Sequence, residues 1–279
     1  MDLIQSILMG IVQGLSEFLP VSSSAHLVFT SNFYKVFKGI EIVEESNQEI
    51  FLDIMLHLGT LIAVLIFFRK EIRQIVQAFW FKFIKKEYNK EDYKTGMYIV
   101  LGTIITVLIA FPLNEVAGGL VFKPAIVGML LIFTGALLLF SENYAKKING
   151  KKPIELENSV LIAIAQGLAA LPGFSRSGLT IATGLLTGSD RTTSARYSFL
   201  LSIPIILGAS MLYPAIKLDF AEVVAYDWLA IIVGTIVSAI VGYLCIKYFL
   251  KFVSKFSLSV FGWYCLVMGL FTAIFFSFI

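Results

Sequence analysis

The sequence predicts an all-α, polytopic integral membrane protein, and three observations carry that expectation. Hydrophobic residues fill 58% of the 279 positions and charged residues only 15%, against about 25% charged in an ordinary soluble domain. Apolar stretches of about 20 residues, the length that crosses a bilayer core, recur along the chain. Two other apolar stretches are broken by short runs of Pro, Ser and Gly. A soluble protein so composed would lack the polar surface to cover itself, so lipid must solvate much of it. A disordered chain, a coiled coil and nearly every soluble enzyme class are thereby excluded. The net charge of +3, scattered among apolar spans, gives no reason to expect nucleic acid.

The first broken stretch covers residues 3–37 and is interrupted from Pro20 to Ser24. Asp2 stands where a secretory leader would carry basic residues, and Gln13 and Glu17 interrupt the apolar run. The stretch is therefore expected to stay in the mature protein. Six full spans are expected, at about 50–68, 97–113, 121–141, 196–216, 227–247 and 257–278. Between the third and fourth lies the second broken stretch, 157–187, interrupted from Pro172 to Gly178. Each of its pieces is too short to cross alone. Paired interruptions of this kind point to half-helices meeting near the membrane midplane. Cys245 and Cys265 sit inside apolar runs with no disulfide or metal spacing.

Basic residues set the orientation. Arg69, Lys70, Arg73, Lys82, Lys85, Lys86, Lys90 and Lys94 lie on what reads as one amphipathic segment facing the cytoplasm and anionic lipid. Lys146, Lys147, Lys151 and Lys152 form a second cluster, and Lys247, Lys251 and Lys255 a third. The loops between are poorer, which puts residues 31–49 and the C-terminus outside. By that alternation the two broken stretches enter from opposite faces. Gln13-Gly14-Leu15 recurs as Gln166-Gly167-Leu168, and Ser22 and Ser24 recur at the same offset as Ser175 and Ser177. The expected organisation is one membrane domain, 1–279, made of two halves, 1–150 and 151–279, in inverted orientation.

The interruptions also hold the polar chemistry. In Gln13-Gly14-Leu15-Ser16-Glu17-Phe18-Leu19-Pro20-Val21-Ser22-Ser23-Ser24-Ala25-His26, Gln13 and Glu17 share a helix face. Pro20 ends that helix. Ser22 is placed to cap the next, with His26 one turn on, beside Ser22 and Ser23. In Pro172-Gly173-Phe174-Ser175-Arg176-Ser177-Gly178-Leu179-Thr180, Ser175 is a plausible cap. The free N–H groups behind it suit phosphate, and Arg176 adds a planar fork of donors. An Arg or Glu inside a membrane costs about 2.5–3.5 kcal/mol on insertion scales and is usually functional. If the two tips meet, Glu17 and Arg176 compensate each other and line one cavity fit for a phosphate ester or diphosphate.

At these residues the chain resembles the undecaprenyl-diphosphate phosphatase family, the bacitracin-resistance type of membrane phosphatase. The resemblance runs through the Gln13-to-His26 and Pro172-to-Thr180 segments, Leu56-His57-Leu58-Gly59-Thr60, and Asp190-Arg191 leading to Ser198 and Pro204. It covers essentially the whole chain. It implies hydrolysis of a C55 lipid diphosphate to the monophosphate carrier of cell-wall glycan synthesis. It also implies a divalent cation, Mg2+ or Ca2+, and two re-entrant helix pairs in an inverted repeat. The site would open to the outer face of the bacterial plasma membrane.

Carried over by motif, Glu17 and Gln13 match the metal-binding pair, with Gln13 in place of the commoner Glu, which weakens any mechanism needing two carboxylates on the metal. Ser22, Ser23 and His26 match the family's serine pair and histidine, although Ser24-Ala25 replaces the more usual Thr-Gly. Ser175, Arg176, Ser177 and Thr180 match the phosphate-binding signature, with Phe174 where a small polar residue is common. The implied mechanism holds the diphosphate on Ser22, Ser175, Arg176, Ser177 and Thr180. Ser23, assisted by His26, attacks the terminal phosphorus, or the same groups position a water.

Plainer readings stand beside these. Ser23 is a nucleophile or a phosphate binder. His26 is a catalytic group or a donor to a backbone carbonyl. Asp53 and His57, four apart in a full span, read as a structural pair. The expected partners are a polyprenyl diphosphate, membrane lipids and a second copy of the chain as a candidate. The rival class is a transporter that flips the lipid monophosphate, alone or besides hydrolysis, since half-helices meeting at the midplane are also a transporter architecture. A purely structural subunit leaves Glu17 and Arg176 unexplained.

Overall fold

The computed structural model describes residues 2–39, 46–121, 123–148, 150–217, 223 and 225–275. Among them the chain is all helical. In order the helices are α1 (Leu3–Ser16), α2 (Ser23–Phe37), α3 (Asn47–Phe67), α4 (Arg69–Phe83), α5 (Lys90–Val121), α6 (Pro124–Ile148), α7 (Leu156–Leu168), α8 (Arg176–Leu186), α9 (Arg191–Lys217), α10 (Trp228–Val253) and α11 (Ser259–Phe275).

Five helices are long and apolar enough to cross a membrane: Asn47–Phe67, Lys90–Leu113 within α5, Ala125–Ile148, Arg191–Leu212 and Trp228–Val253. They match five expected spans, three of them beginning three to seven residues earlier, the most at Lys90, and two beginning later, at Ala125 and Trp228. A helix does not stop where its apolar face stops, because the backbone ladder continues through a charged first turn. The sixth expected span is α11, described over 17 residues, and its expected end, 276–278, lies outside the described residues. The basic segment 69–94 divides. α4 ends at Phe83, Lys85 takes a positive φ of 56°, and Lys90–Lys94 open α5.

Both broken stretches are helix–turn–helix pairs. α1 has 14 residues and α7 13, about 20 Å at 1.5 Å per residue, short of the ~30 Å bilayer core. Asp2 caps α1, accepting from the Gln5 N–H at 2.9 Å. The Tyr34 hydroxyl donates to the same carboxylate and holds it below the ordinary range. α1 stops ahead of Pro20, whose ring bars helical geometry at the residue before it. Its last carbonyls would go unpaired in a dry interior, and side chains from elsewhere take the carbonyls of the break. Cys245 donates to Leu15 O at 3.2 Å, Ser177 to Leu19 O at 2.9 Å, and Cys265 to Pro20 O at 3.2 Å.

α1 lies along α10 and α7 along α5, while α6 lies along α11. Small residues permit this closeness: a Cβ at Gly10 would run into the Gly234 carbonyl, and one at Gly128 into that of Gly269. The largest buried cluster holds Phe18, Phe68, Phe199 and Phe249 with Ile181, Leu185 and Leu138. Phe18 and Phe199 meet edge to face, centroids 5.2 Å apart. Since Phe18 follows Glu17, this aromatic layer adjoins the polar site.

Candidate functional site

Glu17 closes α1 as its C-cap residue and is 7% exposed. One turn earlier on the same face, Gln13 donates from Nε2 to Glu17 Oε2 at 3.1 Å. The reversal through Pro20 brings Ser23, the first residue of α2, back over the same carboxylate, and its hydroxyl donates to Oε2 at 2.9 Å. From the second break, Arg176 Nη2 donates to Glu17 Oε1. The expected meeting of acid and guanidinium is thus present, with Gln13 and Ser23 bonded into it.

Ser175 caps α8 as expected, its hydroxyl accepting from the Gly178 N–H at 3.1 Å. Thr134 Oγ1 accepts from the Ser175 N–H at 3.2 Å, which ties the break to α6. Gly173, with φ 99°, lies against the Val127 backbone on the same helix. The Ser177 hydroxyl is 3.3 Å from that of Ser175 and donates to Leu19 O, sewing one break to the other. Thr180 turns away. Buried, it bonds the Arg176 carbonyl at 2.7 Å and the Ser198 hydroxyl of α9 at 2.6 Å.

Ser22 adopts a left-handed φ of 70° just before α2. Its hydroxyl pairs with that of Ser24 at 3.3 Å, and its carbonyl receives the His26 N–H at 3.4 Å and ring Nδ1 at 2.8 Å. The other ring nitrogen, Nε2, is 2.6 Å from the Tyr264 hydroxyl. His26 is therefore bonded to Ser22 and Tyr264, while the Ser23 hydroxyl gives its hydrogen bond to Glu17. The physical reason is helical: a side chain leans back over the preceding turn, so His26 reaches the carbonyl four residues earlier.

Two residues outside the expected site set, His57 and Tyr264, also border it. His57 and Asp53 do pair, Nδ1 lying 2.8 Å from the Asp53 carbonyl and 3.6 Å from its carboxylate. But His57 Nε2 also stands 3.7 Å from Glu17 Oε2, which brings the pair to the edge of the site. Two polar residues inside an apolar span were the available signal.

Three buried polar atoms around this centre have no hydrogen-bond partner among the described residues: Arg176 Nη1, Gln13 Oε1 and Asp53 Oδ1. The first is an unused guanidinium N–H donor, a group whose chemistry suits a phosphate oxygen. The second is a hard oxygen beside a carboxylate, the donor chemistry of Mg2+ or Ca2+. No group of three His, Cys, Asp or Glu among the described residues is arranged to cage a metal. The residues fit a cation shared with a phosphate and water, as Mg2+ commonly is.

The sequence profile of the family described as bacitracin resistance protein BacA matches residues 6–271. The chain belongs to the BacA family. Among its BacA relatives is the undecaprenyl-diphosphatase of Halothermothrix orenii, 40% identical over 275 residues, covering 97% of this chain and 96% of that protein. The undecaprenyl-diphosphatase of Methanobrevibacter smithii is 38% identical, with the same coverage of each chain. Undecaprenyl-diphosphatase 1 of Pseudoalteromonas translucida is 34% identical, covering 96% and 97%. A BacA chain with five membrane-length helices is a multi-pass membrane protein.

Proposed function

We propose that the bonded cluster of Gln13, Glu17, Ser23 and Arg176 is the hydrolytic centre of an undecaprenyl-diphosphate phosphatase. The chain releases inorganic phosphate from the lipid diphosphate and leaves the monophosphate carrier, the activity its BacA relatives are named for. One observation carries the residue assignment. A single carboxylate joins both breaks, receiving Arg176 on one oxygen and Ser23 on the other, while Arg176 keeps a buried, unpartnered Nη1.

Arg176 Nη1 takes an oxygen of the terminal phosphate, with Ser22, Ser175, Ser177 and Thr180 shaping the two breaks around it. Ser23 Oγ forms a bond to the terminal phosphorus as its proton passes to Glu17 Oε2. The bond from that phosphorus to the bridging oxygen breaks, and undecaprenyl phosphate departs with the electron pair and the proton that Glu17 returns. Water then forms a bond to the phosphorus of the phosphoserine as Glu17 takes its proton, the bond from phosphorus to Ser23 Oγ breaks with its electron pair going to Oγ, and Glu17 returns the proton to Oγ as inorganic phosphate leaves. Glu17 and Gln13 Oε1 would hold the cation. Bound there, Mg2+ or Ca2+ supplies positive charge to phosphate oxygens as charge shifts onto the leaving group. The aromatic layer of Phe18, Phe68 and Phe199 keeps water from the far side.

We further read 1–150 and 151–279 as inverted halves in a plasma membrane, with the site facing outward. The exchange of partners supports this, α1 lying on α10 and α7 on α5, as does the spacing of basic clusters.

Phosphate release from C55 diphosphate by detergent-solubilised protein tests the reading. Transport needs a bilayer, so flipping alone gives no signal there. Chelator is expected to stop release and Mg2+ or Ca2+ to restore it. Ser23→Ala is expected to lower kcat on the order of 1,000-fold or more. Full turnover by Ser23→Ala would instead make a Glu17-held water the attacking group.

A further inference from the structure

α11 touches the first break at two consecutive residues. Cys265 donates to Pro20 O at 3.2 Å, and Tyr264 bonds His26. The second contact fixes protons as well as positions. A carbonyl oxygen only accepts, so His26 Nδ1, 2.8 Å from Ser22 O, carries a hydrogen. In the neutral ring Nε2 is then an acceptor, and the Tyr264 hydroxyl at 2.6 Å donates to it. The two rings also stack, 5.7 Å between centroids and 18° from parallel. Both nitrogens are satisfied and the ring plane is set.

The carbonyl that His26 grips belongs to the peptide joining Ser22 to Ser23. Ser22 is left-handed, a conformation that L-residues without local support adopt rarely. The His26 bond supplies that support. The orientation of this peptide decides where the next side chain, Ser23, points, and Ser23 donates to Glu17 at 2.9 Å. A continuous path therefore runs from Tyr264 through His26 and the Ser22 carbonyl to the Ser23 hydroxyl.

We propose that Tyr264 is a positioning residue of the hydrolytic centre, holding Ser23 over Glu17 by way of His26 and the left-handed Ser22. This rests on the reading of Ser23 and Glu17 as that centre. Tyr264 touches neither phosphate nor cation and acts on the aim of the nucleophile.

Tyr264→Phe keeps the stacked ring and removes only the hydroxyl. With the purified protein and C55 diphosphate, kcat is expected to fall on the order of ten- to a hundredfold, the scale of a slightly misplaced reacting group. KM should stay within about twofold and the thermal midpoint should not move, whereas a merely structural role would lower the midpoint and spare kcat. On a His26→Ala background, Tyr264→Phe should change nothing further. His26→Asn, whose amide can replace the Nδ1 donor but not reach Tyr264, should match Tyr264→Phe, and it decides the matter if Tyr264→Phe folds poorly. Wild-type kcat in Tyr264→Phe, or an effect that multiplies with that of His26→Ala, overturns the inference. Glu17→Gln is the control that separates the two readings. If it keeps turnover, the hydrolytic centre is misassigned. If it is inactive while Tyr264→Phe is unaffected, only the positioning role fails.

Discussion

Glu17 carries more than one carboxylate normally does in an apolar surrounding. One oxygen holds a guanidinium and the other accepts from an amide and a hydroxyl. Removing one member of such a buried pair strands the other, at a cost of about 3–5 kcal/mol, whereas replacing both by uncharged groups is often neutral. Glu17→Gln alone is therefore expected to lower the thermal midpoint in detergent clearly. The double variant Glu17→Gln/Arg176→Met should recover most of that loss and still release no phosphate. A double variant as unstable as the sum of its singles would mean that the two groups are energetically uncoupled and that each has a structural duty of its own beyond charge balance. The acid and the guanidinium are legible in the sequence because each is costly in a membrane and each sits at an interruption. His57 is not, because its i,i+4 partner Asp53 accounts for it within the span, and only the fold turns Nε2 toward Glu17. Tyr264 is harder still, since one tyrosine on an apolar helix has no pattern, and its partner is 238 residues away.

At the scale of elements, a helix that ends inside a dry interior must place its last carbonyls. α1 does so through donors from other helices. Ser177 is the most consequential of these, because its hydroxyl joins Leu19 of the first break to the start of α8. Ser177→Ala leaves the Leu19 carbonyl without that donor, which is expected to lower stability by about 1–3 kcal/mol. Ser175→Ala removes an N-cap and is expected to cost about 1 kcal/mol. Thermal unfolding in detergent checks both, and the site reading adds a distinction. Ser177→Ala should also lower phosphate release, because it lets the two breaks part. A stable Ser177→Ala protein with full turnover would mean that the Glu17–Arg176 pair alone holds them. Where helices break is legible, since Pro20 and the Pro172–Gly173 run interrupt apolar stretches for reasons local to the chain. Which distant side chain meets each freed carbonyl is not, because that depends on how α8, α10 and α11 pack. The same dependence hides the bond of Thr180 to Ser198 on α9.

For the whole molecule, the polar centre has an apolar side and a polar rim. Phe18, Phe68, Phe199 and Phe249 pack beside it, while Ser23, Asp53, His57 and Arg176 retain partial exposure. On the proposed reading a diphosphate headgroup would reach Arg176 from this rim while its polyprenyl tail stays in lipid. The proposed outward orientation of the rim rests on charge. It requires the loop with Lys146, Lys147, Lys151 and Lys152 to be cytoplasmic and the end of α2 and the loop after it, where Lys35 and Lys38 are balanced by glutamates, to lie on the other side. Both native cysteines are buried, so an introduced thiol reports with little background. Lys38→Cys is expected to react with a membrane-impermeant maleimide on intact cells, and Lys151→Cys only after the cells are opened. Labelling in the reverse order would turn the site toward the cytoplasm and deny it substrate delivered to the outer leaflet. Labelling of both on intact cells would remove the opposed-face arrangement on which the inverted halves depend.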